Sequence, residues 1–420
     1  MQTHGKLCPP LEWEHTTEVV VVWWWMAGLF AAKTLIEAGK KVVLIERNIC
    51  GWWMSGRSWW FLTPDSELWL RQIEQRYGKE TAKKLREFGQ WWQDLIVHTA
   101  RENKFDCDLQ DEDSLLLWWK NSWIEEVKNE YEARQEYWYD GEFIERKDIY
   151  KHTTGKCYTA WLRYKNCFAI DPMVFCQEMK NYLQKLWVQV FEQTTIQSYT
   201  HNYIQTSRWS IHCDNIIFCV WKVRSSLHKE YSKDTYGIQN FITMSEPLSD
   251  EIVNTMFPQW KLMCRDTKLA FTYFRLTGDN RLILWWGNMF TAWFPFDILY
   301  PYGIQKVISE IQSVYNTMKT FAFDYYWSGR IETTKDMMPI IDQDEDNANH
   351  RWVQWCVWLP RAAAWGRLAA ESLLGKWNEL LPLFKRNRKF WIKRRVHSPI
   401  LKSLLYGANN LYAMKKQKGY

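Results

Sequence analysis

Glu18-Val-Val-Val-Val-Trp-Trp-Trp-Met-Ala-Gly-Leu-Phe-Ala-Ala32, followed by Leu35-Ile-Glu-Ala-Gly-Lys-Lys-Val-Val-Leu-Ile-Glu-Arg47, decides the fold. Val19–Val22 is a continuous β-branched run, the composition of a parallel strand buried on both faces. Residues 26–38 read as a helix, and Val42–Ile45 as a second strand ending in an acid, Glu46. Strand, turn, helix and strand in this order make the βαβ unit of a dinucleotide site. Its G-x-G-x-x-G fingerprint would fall on 23, 25 and 28. Gly28 is present, but positions 23 and 25 are Trp. Glu46 stands at the spacing where a carboxylate grips a ribose hydroxyl.

The composition repeats this anomaly. The chain has 30 Trp and only 18 Gly in 420 residues. Glycine normally supplies about 7% of a protein, so the two counts are inverted. Many of the tryptophans fall where a turn wants glycine. Trp187 lies between a helix and a strand, at the C′ position that favours a left-handed residue. Trp209 lies at a hairpin turn. Trp52-Trp53, Trp59-Trp60 and Trp285-Trp286 are doublets in turn-like surroundings. A gene that uses UGA for glycine, translated with UGA as tryptophan, would produce this pattern. An authentically Trp-rich chain, or a deliberately altered one, is the alternative. Trp327 and Trp391 carry no glycine signature.

At this length the chain accommodates two domains around a substantial core. Its hydrophobic fraction of 47% and charged fraction of 24% are those of a globular protein. A net charge of +6 with no base-reading motif gives no reason to expect a nucleic-acid partner. The ten Cys include no C-x-x-C pair and no cluster at zinc spacing, so no metal is expected. They read as buried thiols of a reducing compartment, Cys50 and Cys356 near the cofactor among them. The first residues carry no apolar signal core, and a cytoplasmic location is expected. Residues 1–16 read as a loose leader.

Helices are expected at Ser66–Tyr77, Lys79–Thr99, Ile124–Arg134, 172–186 and from Tyr302 to about 320. Strands are expected at Ser114–Leu117, Val188–Phe191, Ser198–Gln205, Ser210–Cys213, Ile216–Val220, Leu269–Leu276 and Arg281–Leu284. Residues 351–374 read as strand, loop and helix. Lys385-Arg-Asn-Arg-Lys-Phe-Trp-Ile-Lys-Arg-Arg395 opens a basic tail. Such a tail is either solvated or makes weak contact with an anionic membrane surface.

An ordered set of motifs from about 17 to 380 resembles the FAD-dependent D-amino acid oxidase superfamily, which includes glycine and sarcosine oxidases and γ-glutamylputrescine oxidase-like enzymes. The fingerprint comes first, with Glu46-Arg47 at its ribose end. Met54-Ser-Gly-Arg-Ser-Trp-Trp60 resembles the family's A-S-G-R-N-G-G segment around the flavin. Ile170-Asp-Pro172 with Leu186-Trp-Val-Gln-Val-Phe-Glu-Gln-Thr194 is similar to D-P … G-V-x-I-x-E-x-T. Ile216-Ile-Phe-Cys-Val-Trp221 is similar to V-V-x-A-T-G. Tyr273-Phe-Arg-Leu-Thr-Gly-Asp-Asn-Arg-Leu-Ile-Leu-Trp-Trp286 is similar to Y-x-R-x-x-x-D-x-R-x-L-x-G-G. Trp327-Ser-Gly-Arg330, Asp336, Pro339-Ile-Ile341 and Gln354-Trp-Cys-Val-Trp-Leu359, before a helix with Gly366, resemble the closing flavin segment. The departures are nearly all Gly to Trp.

The resemblance implies an α/β fold: a Rossmann-like FAD-binding domain with a second, substrate domain containing a mixed or antiparallel sheet. It implies a discontinuous FAD domain at 17–90, 160–225 and 326–384, a substrate domain at 91–159 and 226–325, and a tail at 385–420. FAD is the implied cofactor. Its binding positions would be Trp23, Trp25, Ala27, Gly28, Glu46, Arg47, Ser55, Gly56, Arg57, Ile196, Trp221, Trp355, Trp358 and Leu359. The implied reaction is oxidation of an amine or amino acid C–N bond by hydride transfer to flavin. Tyr273, Arg275 and Arg330 are the substrate candidates, since arginine grips a carboxylate with two parallel hydrogen bonds. No residue stands out as a general base. If the tryptophans at glycine positions are real, the alternative is a flavin-free, catalytically dead scaffold that binds a partner.

Overall fold

The valine run forms the heart of the strand His15–Trp23, and all four valines are buried. The structure is a computed structural model. It describes residues 6–388 except 24–25, 53–54, 59–60, 65–68, 120–123, 146, 156–157, 221–222, 260, 267–271, 288–300, 335–337 and 355–359. Val19 and Val21 share a core with Ala27, Phe30 and Ala31 of the helix Met26–Glu37. Val20 and Val22 face the other way, onto Ile216, Phe218 and Trp352. Two apolar faces explain why this strand reads as an unbroken run.

His15–Trp23 is the middle of an eight-stranded sheet. It pairs in parallel with Val42–Ile45 on one side and Ser210–Cys219 on the other. Gln189–Phe191 extends the parallel set beyond Val42–Ile45, and His350–Gln354 extends it beyond Ser210–Cys219. Antiparallel strands Ile196–Tyr199, Tyr203–Thr206 and Ile340–Gln343 complete the sheet. Helices Met26–Glu37, Pro172–Lys185 and Pro360–Leu373 contribute residues to the core on one face. Asp171 starts the second of these by accepting the Met173 and Val174 N–H groups at 2.9 and 3.0 Å, with Pro172 at the first helical position.

The second eight-stranded sheet runs Phe323–Thr334, Thr235–Pro247, Arg281–Gly287, Thr272–Leu276, Met263–Asp266, Ser114–Trp119, Tyr158–Tyr164, Gly141–Glu145. Its pairs are antiparallel except the one between Met263–Asp266 and Ser114–Trp119. Leu115, Leu117, Leu282 and Leu284 pack with Val307, Ile311 and Val314 of the helix Pro301–Val314. The α/β fold with a mixed second sheet is thus as expected.

Several local expectations need correction. The leader is not loose over residues 6–14. Glu192 accepts the Cys8 N–H at 2.8 Å, Thr194 accepts the Leu11 N–H at 3.1 Å, and both Cys8 and Leu11 are buried. The segment 198–205 is two strands, because Thr200 N–H closes a turn onto the Tyr203 carbonyl at 2.8 Å. Ser210–Cys219 is one strand rather than two. Trp285 and Trp286 lie inside a strand, paired with Ile242 and Phe241, and not at a turn. The helix from 301 ends at Val314, where a short 3₁₀ turn, Asn316–Lys319, takes over. The basic stretch begins docked: Arg386 is buried against Asp234, and Arg388 donates to the Met338 and Pro339 carbonyls at 2.7 and 2.8 Å. Residues 389–420 lie outside the described residues.

Candidate cofactor site

A parallel strand that feeds a helix puts that helix's free N–H groups at the sheet's carboxyl edge, the place where an anionic phosphate is favoured. Here the strand ends at Trp23, level with Cys219 of its neighbour, and the helix begins at Met26. Ala27 and Gly28 follow in its first turn and are fully buried. Ser55 reaches this turn, and its hydroxyl accepts the Met26 N–H at 3.3 Å. The Ser55 loop is tight: a Cβ on Gly56 would lie 2.3 Å from the Gly51 carbonyl oxygen and 2.7 Å from the Met173 sulfur.

Glu46 directly follows the second strand, at 2% exposure. Burial pushes its carboxyl up to about 8 from an ordinary 4.5, opposed by the Asn48 N–H and by Arg47. The Asn48 N–H donates to it at 2.8 Å. Arg47 beside it is half-buried, and burial followed by the neighbouring Arg224 charge lowers its pKa. The chain from 192 runs alongside: Gln193 N–H donates to the Asn48 carbonyl and Thr194 N–H to the Glu46 carbonyl, each at 2.8 Å. Ile196, two residues on, opens the hairpin strand opposite Thr206.

The other predicted residues divide into two groups. Arg57 joins the two sheets. Its carbonyl accepts the Trp327 indole N–H at 2.9 Å, and its guanidinium donates to the Ser328 carbonyl at 3.3 Å. The Ser-Gly-Arg loop and the Trp-Ser-Gly-Arg strand are therefore in contact. Arg330, further along that strand, lies across Gly237 with its Nε 3.4 Å from the buried Glu332 carboxylate. Arg275 is elsewhere, at 2% exposure in the core. Its guanidinium donates to the Leu276 carbonyl at 3.0 Å and the Ile170 carbonyl at 3.1 Å. Tyr273, on the same strand, is buried edge-on against Phe61 and Trp285. Trp25, Trp221, Trp355, Trp358 and Leu359 lie outside the described residues.

Glu192 is the residue whose part the sequence did not reveal. Its two oxygens accept the Cys8 and Cys50 N–H groups at 2.8 and 2.7 Å, and the fully buried Lys180 ammonium lies 3.3 Å away. It thus ties the leader, the helix Pro172–Lys185 and the loop toward Ser55 into one knot. The only local signal was its place in the run that ends at Thr194.

FAD meets two different surroundings here. The frame fits it: a strand-to-helix junction at the carboxyl edge and an acid buried at the end of the neighbouring strand. At the turn itself the sequence has Trp at 23 and 25, where the fingerprint has glycine, and residues 24–25 lie outside the described residues. Among the described residues no group of three His, Cys, Asp or Glu is placed to hold a metal ion.

A family model described as FAD dependent oxidoreductase matches residues 26–381. The probable oxidoreductase OrdL of Haemophilus influenzae is 23% identical over 389 residues, 90% of this chain and 87% of that protein. The gamma-glutamylputrescine oxidoreductase of Escherichia coli is 23% identical over 365 residues, 86% of this chain and 84% of that one. Among solved structures, glycine oxidase from Geobacillus kaustophilus superposes with a TM-score of 0.76 at 13% identity, covering 90% of this chain and all of that one. L-amino acid deaminase from Proteus vulgaris gives 0.73 at 13% identity, over 92% and 99% of the two chains. The family match spans the fingerprint helix, the Ser-Gly-Arg loop and the closing helix, so the chain belongs to the FAD-dependent oxidoreductase family.

Proposed function

We propose that this protein oxidises the C–N bond of an amine or amino acid, with FAD as the hydride acceptor. The observation that carries this reading is the contact between the Ser-Gly-Arg loop and the Trp-Ser-Gly-Arg strand. It joins the helix that would hold the cofactor's phosphates to the sheet that would present a substrate. The relatives support the substrate class, since their names include a gamma-glutamylputrescine oxidoreductase and a glycine oxidase. We assign 17–90, 160–225 and 326–384 to the cofactor and 91–159 and 226–325 to the substrate; the second sheet's strands Tyr158–Tyr164 and Phe323–Thr334 cross two of these boundaries. A cytoplasmic location accompanies this reading. Among the described residues no helix is long and apolar enough to cross a membrane.

Flavin supplies a two-electron acceptor, and the protein positions the substrate carbon against it. Arg330 is the better carboxylate anchor of the two arginines. It lies on the strand that touches the Ser-Gly-Arg loop, whereas the Arg275 guanidinium is held by core carbonyls. Native protein mixed anaerobically with a panel of amino acids and polyamines should lose its oxidised-flavin absorbance with at least one of them. Bound flavin that no amine or amino acid bleaches would remove the reading. Arg330→Ala should raise KM for amino acids by about ten- to a hundredfold, the loss of a charge-assisted pair worth about 1.5–3 kcal/mol. Amines without a carboxylate should change much less, and equal loss for both would exclude Arg330 as the anchor.

A further inference from the structure

Helix ends reveal which tryptophans belong to this fold. The helices ending at Glu37, Glu102, Glu136, Lys185 and Leu373 all close with the same pair of backbone bonds. In each, one N–H returns to the carbonyl three residues back and the next N–H to the carbonyl five residues back, the Schellman arrangement. Gly39 and Lys40 reach Ile36 and Leu35 at 3.0 Å each; Gly375 and Lys376 reach Ser372 and Glu371 at 3.2 and 2.9 Å. Trp138 and Tyr139 do the same to Gln135 and Arg134 at 3.1 and 2.9 Å, and Trp187 and Val188 to Gln184 and Leu183 at 3.0 Å each. The first residue of each pair is left-handed, with φ of 80° at Gly39, 75° at Gly375, 61° at Trp138 and 72° at Trp187. Lys104, with φ of 54°, holds the same place after the helix ending at Glu102.

Glycine takes this conformation freely, and a bulky residue there is an outlier. The indoles gain nothing in return, since Trp138 is 83% and Trp187 is 88% exposed. Trp352 is the opposite case. It is wholly buried, donates its Nε1 hydrogen to Asp344 at 2.7 Å, and stacks on Phe218 and Tyr231 with centroids 4.1 and 4.6 Å away. These three tryptophans therefore fall into two kinds. One does a tryptophan's work in the core, and the other stands on backbone built for glycine. Trp209 shows that a turn alone is not the criterion, for its φ is not left-handed.

We infer that in the natural polypeptide positions 138 and 187 are glycine, and with them, on the sequence motif alone, the fingerprint positions 23 and 25. One change of reading produces this pattern: UGA taken as tryptophan where the source cell inserts glycine. It converts some glycines, spares those with other codons, and leaves true UGG tryptophans such as Trp352 untouched. The inference does not rest on the proposed substrate.

Peptide mass spectrometry of the protein from its source cell tests it directly. Peptides spanning 25, 138 and 187 should carry glycine, the peptide spanning 352 should carry tryptophan, and the intact mass should fall below 50.9 kDa. Tryptophan at 138 and 187 in the native peptides would overturn the inference, whatever the activity. A second measurement addresses positions 23 and 25. The chain as written should lose FAD on desalting, and a chain with Trp23→Gly, Trp25→Gly, Trp138→Gly and Trp187→Gly should retain at least tenfold more. Equal retention by the two would overturn the assignment of 23 and 25 to the phosphate turn.

Discussion

Glu46 shows how one residue sets a pH response. Its carboxyl is raised to about 8 by burial, so between pH 4.5 and 8 the folded protein binds a proton that the unfolded chain has released. Stability from this group is complete below the ordinary carboxylate range and is lost as pH rises through 8. Glu112, also pushed up by burial, to about 7, acts in the same direction. The apoprotein's urea midpoint should therefore fall from pH 5 to pH 8, and Glu46→Gln should flatten that slope without abolishing it. An unchanged slope in the variant would show that Glu46 is not the buried acid described. The position of Glu46 was legible because ribose-binding acids keep a fixed distance from the first strand. The work of Glu192 was not, because its partners Cys8 and Cys50 lie 184 and 142 residues away and share no pattern with it.

Between elements, helices Met26–Glu37 and Pro360–Leu373 cross at close backbone range. A Cβ at Gly366 would lie 1.8 Å from the Ala27 carbonyl oxygen and 2.5 Å from its carbon. These are backbone atoms, so no rotamer change relieves the clash, and the helices must part. Gly366→Ala should cost about 1–3 kcal/mol or more, the usual range for overpacking, and should weaken FAD retention because Ala27 belongs to the helix's first turn. A thermal midpoint within one degree of the parent would contradict the packing. The strands were legible wherever an apolar run was buried on both faces, as at Val19–Val22. Trp285 and Trp286 resemble the other doublets in sequence, but in the strand Trp286 shares the core face of Leu282 and Leu284 while Trp285 turns to the opposite face, against Tyr273. Trp138 was missed because no family motif surrounds it; only its backbone conformation identifies it.

Across the whole molecule, the two sheets must hold a fixed distance if a cofactor on one is to meet a substrate on the other. Arg275 is one of the ties. It grows from the second sheet, and its guanidinium donates to the carbonyl of Ile170, the residue before the Asp171 helix cap of the first. An arginine in a strand reads the same in sequence whether it faces a ligand or a core, which is why its neighbourhood was not foreseen. Glu112 is buried nearby with neither oxygen hydrogen-bonded among the described residues, and the Arg275 charge, followed by Lys261, restrains its upward shift. Removing the arginine therefore leaves an unpaired carbonyl and a carboxyl that climbs further. Arg275→Met should destabilise the protein by about 1.5–3 kcal/mol, as for a lost hydrogen bond to a charged group. Adding Glu112→Gln should recover part of that loss at pH 8, where Glu112 would otherwise be forced toward ionisation, and little at pH 5, where it is already protonated. A double-mutant cycle in urea at the two pH values reads the coupling. Strict additivity at pH 8 would mean that the two buried groups do not sense each other, and that the tie between the sheets rests on the Ile170 carbonyl alone.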